Sequence, residues 1–287
     1  MNDMDKHFKI AVIGSGTMGN GIAHVFAQSG FNTLLVDINE DQLKKALSNI
    51  ENNLNRQINK EIISEPEKHN ILNNISINTD IKLCKDMDLV IEAVPEKYDL
   101  KVSIFKNLDA ICKESTILAS NTSSISISNL GNQTNRPKNI IGMHFMNPVP
   151  IMKLVEVIKT IHTSKATIDT VVDLAEKIKK IPVECNDYPG FVSNRILMPM
   201  INEAIFCLEQ NVAKKEAIDD IMKLGMAHPM GPLELADFIG LDVCLDIMEV
   251  LRVGFNDSKY EPCTMLKTMV SSGLLGRKSG RGFYTYD

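Results

Sequence analysis

The six residues GSGTMG at 14 to 19 most constrain what this chain can fold into. They follow the apolar run KIAVI, open the segment TMGNGIAHVFAQSG, and precede a second apolar run, FNTLLVD, that ends at Asp37. Met18, Ile22, Val25 and Phe26 recur near helical spacing, and Gly30 stands where a helix would terminate. The stretch is predicted to be a strand, helix, strand unit of about 30 residues. Within it Gly14 permits a tight turn, Gly16 lets the backbone approach a pyrophosphate, and Gly19 lets the helix pack closely. The helix start at Thr17 and Met18 favours an anion. Asp37 is placed to bind ribose hydroxyls and to repel a 2′-phosphate, so NAD is expected over NADP. The bare pattern also fits a glycine-rich turn with no ligand, and Asp37 a strand-end turn former. The flanking strand and helix favour the dinucleotide site.

Further strands are expected at ISIN from Ile75, DLVIEAV from Asp88, TILAS from Thr116, IIGMHF from Ile140, KLVEVI from Lys153 and IPVEC from Ile181. Helices are expected over 97–112 and 165–180, and over 39–60 with Leu43, Leu47, Ile50, Leu54 and Ile58 on one stripe. Strands alternating with helices imply an α/β fold with a mostly parallel sheet covered on both faces. Beyond about residue 186 the periodicity is helical, over 191–209, 214–224, 231–251 and 262–273. At 287 residues the chain has room for two domains. The expected division is an α/β domain over 1–187 and an all-helical domain over 188–287.

Charge and cysteine usage narrow the function classes. The net charge of -5 is interspersed along the chain, which argues against nucleic-acid or membrane-surface binding. The N-terminus carries acids and no signal pattern, and every apolar run stops short of the roughly 20 residues that span a bilayer. The six cysteines are scattered with no C-x-x-C pair. Neither a metal site nor a disulfide framework is expected, but rather reduced thiols in a cytoplasmic chain.

The stretch HFMNPVPIMKLVEVI carries the candidate chemistry. His144 ends a predicted strand, at the sheet edge where such folds bind ligands. Pro148 and Pro150 enforce a turn that would fold the chain back, and Glu156 then falls in a strand running alongside. A carboxylate on one ring nitrogen stabilises the protonated ring and leaves the other nitrogen for proton transfer, making a general base. The competing reading is a core histidine. His7, His24, His69, His162 and His228 have no obvious partner in the sequence. SNTSSISI from Ser120 ends another strand, and PGFVSNRI opens the helical domain. Ser and Asn in these segments fit helix caps, or polar groups converging on one oxygen.

GSGTMGNGIAHVFAQSG, SNTSSISI, GMHFMNPVPIMKLVEVI, PGFVSNRI, HPMGPLELADFIGLD and GRKSGRGFYTY together resemble 3-hydroxyacyl-CoA dehydrogenases, especially stand-alone 3-hydroxybutyryl-CoA dehydrogenases, along essentially the whole chain. The resemblance implies a Rossmann-type domain, a helical domain that makes a homodimer, and an acyl-CoA substrate between them. It implies His144 as catalytic base, Glu156 as its partner, and Ser123 and Asn194 as groups binding the substrate oxygen. It also implies cofactor contacts at Glu96, Lys101 and Asn121. Lys97 and Met146 depart from the family, which commonly shows Asn and Phe there. Arg56 and Lys60, four apart on the long helix, fit solvated charge on spacing alone, and the resemblance implies contact with CoA phosphates. The implied reaction is reversible oxidation of (3S)-3-hydroxyacyl-CoA. Two rival readings are a dehydrogenase of a free hydroxy or sugar acid and a non-catalytic NAD-binding protein.

Overall fold

The run IAVI becomes β1 (Ile10–Ile13), every residue of it buried. The computed structural model describes residues 8–286, so His7 lies outside the described residues. After the glycine turn come α1 (Thr17–Gln28) and β2 (Thr33–Val36), and β2 pairs parallel with β1. The next helix, α2 (Glu40–Asn59), starts where the Asn39 side chain accepts from the amides of Asp41 and Gln42. It buries Leu43, Ile50 and Leu54 of the expected stripe together with Ala46, whereas Leu47 and Ile58 are only partly buried.

Residues 60–74 hold a helix that apolar spacing alone does not announce, α3 (Glu65–Asn73). Ser64 and Glu67 form a reciprocal capping box at its start, and this satisfies amides the short helix would otherwise leave open. The chain continues through β3 (Ile75–Asn78), β4 (Leu89–Glu92), α4 (Tyr98–Ile111), β5 (Ile117–Ser120) and α5 (Ile127–Gly131). It then runs through β6 (Ile140–Phe145), β7 (Leu154–Lys159), α6 (Lys165–Lys177) and β8 (Ile181–Asn186).

The described strands form one eight-stranded sheet in the order β3-β2-β1-β4-β5-β6-β7-β8. Every pairing is parallel except β6 with β7. Strand order reverses at β1, between β2 and β4, and parallel strands bring their C-terminal ends to one edge. That edge carries Gly14 after β1, Asp37 after β2, Glu92 at the end of β4 and Asn121 after β5. Behind it Ile22 and Phe26 of α1 pack with Val12, Leu35, Ile91 and Val157 of the sheet. Phe26 meets Phe31 and Phe145 edge-on, at 5.8 and 6.5 Å between ring centroids.

The chain divides into two compact units, 1–187 and 188–287. The second contains α7 (Ser193–Glu209), α8 (Lys215–Gly225), α9 (Pro232–Ile239), α10 (Leu241–Phe255) and α11 (Thr264–Ser271). The single helix expected over 231–251 is two, because Gly240 adopts φ +106°, which no right-handed helix accommodates. Its core joins Met198, Ile205, Leu233, Leu241, Met248 and Leu266.

The closing GRKSGRGFYTY is held by buried carboxylates of this same unit. Asp237 accepts from the Phe283 amide (2.9 Å), the Tyr284 amide (2.8 Å) and the Tyr286 hydroxyl (3.0 Å). Asp219 accepts from the amides of Leu233 (2.8 Å) and Glu234 (3.0 Å) and from the Tyr284 hydroxyl (2.8 Å). A Cβ at Gly282 would lie 1.9 Å from an Asp237 oxygen, so only glycine fits. Burial, with the bond to Asp237, pushes the Tyr286 phenol up to about 12. Among the described residues no helix is long and apolar enough to cross a membrane.

Candidate active site

Antiparallel pairing of β6 and β7 sets His144 directly opposite Glu156. Opposed residues project to the same face of a sheet, so the side chains meet, with His144 Nδ1 2.7 Å from Glu156 Oε2. Both are buried, at 6% and 3% exposure, which shields the pair from competing water. The Asn147–Pro148 bond in the intervening turn is cis. On the other ring nitrogen, Ser123 Oγ lies 3.1 Å from Nε2. The carboxylate accepts Nδ1–H, and this network assigns the tautomer in which Nε2 presents its lone pair to a hydroxyl. A histidine so held can take a proton at Nε2, and the Glu156 carboxylate beside Nδ1 stabilises the resulting charge.

The segment after β5 that carries Ser123 is fixed from several sides. Asn121 donates its amide to the Glu92 carbonyl at 2.8 Å, and its side-chain oxygen accepts from the Phe145 amide at 2.9 Å. Glu96 Oε1 accepts from the amides of Ser123 (3.0 Å) and Ser124 (3.2 Å) and from the Thr122 hydroxyl. Burial works against the Glu96 charge, but Lys101 and these bonds outweigh it and hold the carboxyl below its usual range. Lys101 is 1% exposed and donates to Glu92, Glu96 and the Val94 carbonyl. All three donors of its ammonium are occupied inside the fold. Glu92, Ser120 and Thr122 join this cluster and were not anticipated. The one sign in the sequence was an acid inside the apolar run DLVIEAV.

The three glycines of the loop differ in what a side chain would meet. Gly14 has φ +98°, and a Cβ there would meet the Ala93 carbonyl oxygen at 2.7 Å. A Cβ at Gly19 would lie 1.7 Å from the Gly14 oxygen, so helix and turn touch only without a side chain. At Gly16 a Cβ meets nothing within 4 Å. The fold itself does not require that glycine, which leaves room over the loop for a bound group. Gly16 offers α1 no side-chain cap, so the amides at Thr17 and Met18 have no intrahelical acceptor. Asp37 Oδ2 accepts from the Ser15 amide and hydroxyl, each at 2.8 Å, and Oδ1 from the Asn39 amide at 3.0 Å. These bonds tie the carboxylate to the glycine loop. Such features fit a dinucleotide.

A model of the 3-hydroxyacyl-CoA dehydrogenase NAD binding domain matches residues 9–188, and one of the 3-hydroxyacyl-CoA dehydrogenase C-terminal domain matches residues 190–286. The chain belongs to the 3-hydroxyacyl-CoA dehydrogenase family. It is 54% identical over 279 residues to a probable 3-hydroxybutyryl-CoA dehydrogenase of Bacillus subtilis, covering 97% of each chain. It is 51% identical over 278 residues to a 3-hydroxybutyryl-CoA dehydrogenase of Bradyrhizobium diazoefficiens, covering 97% of this chain and 95% of the relative. The crystal structure of (S)-3-hydroxybutyryl-CoA dehydrogenase from Ralstonia eutropha is similar at a TM-score of 0.95 and 48% identity, covering 97% of this chain and 99% of that one.

Within this dehydrogenase frame the remaining candidates fall as follows. Asn194 is buried in the first turn of α7, its amide 3.1 Å from the Gly190 carbonyl. Arg56 is exposed near the end of α2, with Nη1 3.2 Å from Asn53 Oδ1. Lys60 is exposed at the C-cap of α2, one residue past its last helical residue, Asn59. Lys97 is the exposed N-cap of α4, and Met146 follows β6 half-buried.

Proposed function

We propose that this dehydrogenase interconverts (3S)-3-hydroxybutyryl-CoA and acetoacetyl-CoA, with His144 as general acid and base. The observation that carries the reading is the histidine held between Glu156 at Nδ1 and Ser123 at Nε2. In the oxidative direction Nε2 takes the hydroxyl proton, and Glu156 stabilises the imidazolium that results. NAD, when bound, supplies the acceptor for the hydride that leaves C3. In the reductive direction the protonated ring returns its proton to the ketone oxygen. Ser123 and Asn194 hold that oxygen by hydrogen bonds. General acid–base assistance of this kind contributes on the order of 10² to 10⁴ in rate.

For the cofactor, Gly14, Gly16, Thr17, Met18 and Gly19 form the pyrophosphate cradle and Asp37 the ribose anchor. The Asp37 carboxylate disfavours a 2′-phosphate, which supports NAD over NADP. Glu96, Lys101 and Asn121 shape the nicotinamide end. Arg56 and Lys60 are the cations that suit CoA phosphates. The enzyme works as a homodimer through its helical domain, a reading supported by apolar side chains on the surface of α8 and beside it, Leu224 at 86% and Met226 at 61% exposure. Six free thiols suit the reducing cytoplasm.

The test is NADH oxidation, with NADPH in parallel, on acetoacetyl-CoA against free acetoacetate. Turnover of the CoA ester with NADH supports the reading. Turnover of the free acid alone contradicts it, and turnover of neither despite NADH binding contradicts catalysis altogether.

A further inference from the structure

The Ser123 hydroxyl is aimed by its main chain, and that main chain hangs on a charge cluster in which Glu92 and Lys101 are buried and Glu96 reaches the surface. Glu96 Oε1 collects four donors from three consecutive residues, the Thr122 hydroxyl, the Ser123 amide, and the Ser124 amide and hydroxyl. One oxygen keeps four partners only while the carboxylate is charged and fixed. What fixes it is Lys101, whose Nζ lies 3.1 Å from Glu96 Oε2.

Lys101 is itself oriented by Glu92. The Glu92 carboxylate, 0% exposed at the C-terminal end of β4, takes Lys101 Nζ at 2.6 Å and the Val94 amide at 2.7 Å on Oε1. Its Oε2 accepts from Ser120 Oγ at 2.6 Å, and Ser120 Oγ accepts in turn from the Thr122 amide at 3.2 Å. Glu92 therefore reaches the serine segment by two routes, through Lys101 and Glu96 to the amides of Ser123 and Ser124, and through Ser120 to Thr122. Both routes end within one residue of Ser123.

Stability alone is a poor reason for such a cluster. Buried ion pairs are often matched or bettered by apolar side chains of similar volume, since desolvation cancels most of the attraction. Burial pushes the Glu92 carboxyl up despite Lys101, as expected of a group kept at a cost. Geometry is what an apolar replacement would not supply. We infer that Glu92 is a positioning residue for the reaction, which through Lys101, Glu96 and Ser120 keeps Ser123 Oγ 3.1 Å from His144 Nε2. The inference rests on the reading that Ser123 and His144 act on the substrate oxygen.

The experiment is a double-mutant cycle on kcat for acetoacetyl-CoA reduction, with Glu92→Gln, Ser123→Ala and the two combined. Glu92→Gln keeps the size but turns one acceptor facing Ser120 or Lys101 into a donor. It is expected to lower kcat about ten- to a hundredfold, the scale of a misplaced catalytic contact. In the Ser123→Ala background the same change should cost less than about threefold, because the hydroxyl it aims is already gone. Losses that multiply independently of Ser123 would overturn the inference while leaving the function intact. Full turnover by Ser123→Ala would overturn the inference and the role given to Ser123, whereas a wild type that does not reduce acetoacetyl-CoA would overturn the function itself. If Glu92→Gln does not fold, Glu92→Gln combined with Lys101→Met removes both charges at once. A low kcat at saturating NADH and wild-type Tm that largely disappears in the Ser123→Ala background then supports the positioning role, and wild-type turnover or a loss independent of Ser123 overturns it.

Discussion

Glu156 stands opposite His144 across the antiparallel β6–β7 pair, its Oε2 2.7 Å from His144 Nδ1. Strand register alone aligns them, so the base and its partner are rigid before any ligand arrives. Glu156→Gln keeps the shape and removes the charge that stabilises imidazolium. It should lower kcat by about 10-fold to 10²-fold with KM for the CoA ester nearly unchanged. Steady-state kinetics across pH check this, and an unchanged rate and pH profile would reduce Glu156 to a structural residue.

The glycine loop separates folding from binding. Gly16→Ala adds its Cβ to open space, so Tm should hold while NADH affinity falls at least about tenfold, a factor worth about 1.4 kcal/mol, and Gly16→Val should weaken NADH further. Gly19→Ala places a Cβ 1.7 Å from the Gly14 oxygen and should lower Tm or prevent folding. Thermal melts with NADH fluorescence titration distinguish the two. The opposite pattern, stable Gly19→Ala and unstable Gly16→Ala, would contradict the roles given to them.

Of the two carboxylates that hold the C-terminal strap, Asp237 takes the larger share. Asp237→Ala leaves the amides of Phe283 and Tyr284 and the Tyr286 hydroxyl without their acceptor. Each such loss costs about 1 to 3 kcal/mol, so a drop in Tm of several degrees is expected. Differential scanning calorimetry measures it, and a Tm within one degree of wild type (roughly the noise of a small ΔΔG) would show that the strap is dispensable.

His24 gives the fold an acid sensitivity unrelated to catalysis. It is buried in α1, and neither ring nitrogen has a hydrogen-bond partner among the described residues. Burial lowers its pKa from the usual 6.5 to about 4; the nearby Gln28 side chain, too far off line for a hydrogen bond, offsets that only in part, and the Lys180 charge adds to the lowering. The unfolded chain therefore binds the proton first, and stability present above pH 6.5 is lost as pH falls towards 4. At about 1.4 kcal/mol per unit the loss is roughly 3 kcal/mol. Tm against pH for wild type and His24→Leu reads it: the variant should lose less stability across that window. Equal slopes would mean that His24 does not set the sensitivity.

Much of this was legible in the sequence because it is local. The glycine loop, the stripe on α2 and the two prolines between His144 and Glu156 each act over a few residues. α3 was missed because its apolar spacing is weak, although the Ser64 to Glu67 capping box marks its start. The break at Gly240 was masked by apolar periodicity that runs unbroken through it on both sides. The Glu92–Lys101–Glu96 cluster was beyond local reading. Lys101 looks like any helix cation until the fold seals it against two carboxylates, and Glu92 is an acid in an apolar strand until Ser120 is seen beside it.

The most direct test of the account compares wild type with His144→Ala in acetoacetyl-CoA reduction, with NADH binding measured on both. The account predicts a fall in kcat on the order of 10² to 10⁴ with NADH affinity within about twofold, since the ring acts on the substrate oxygen. Turnover that survives the substitution would contradict it, and His144 would then be a core residue beside a dinucleotide site.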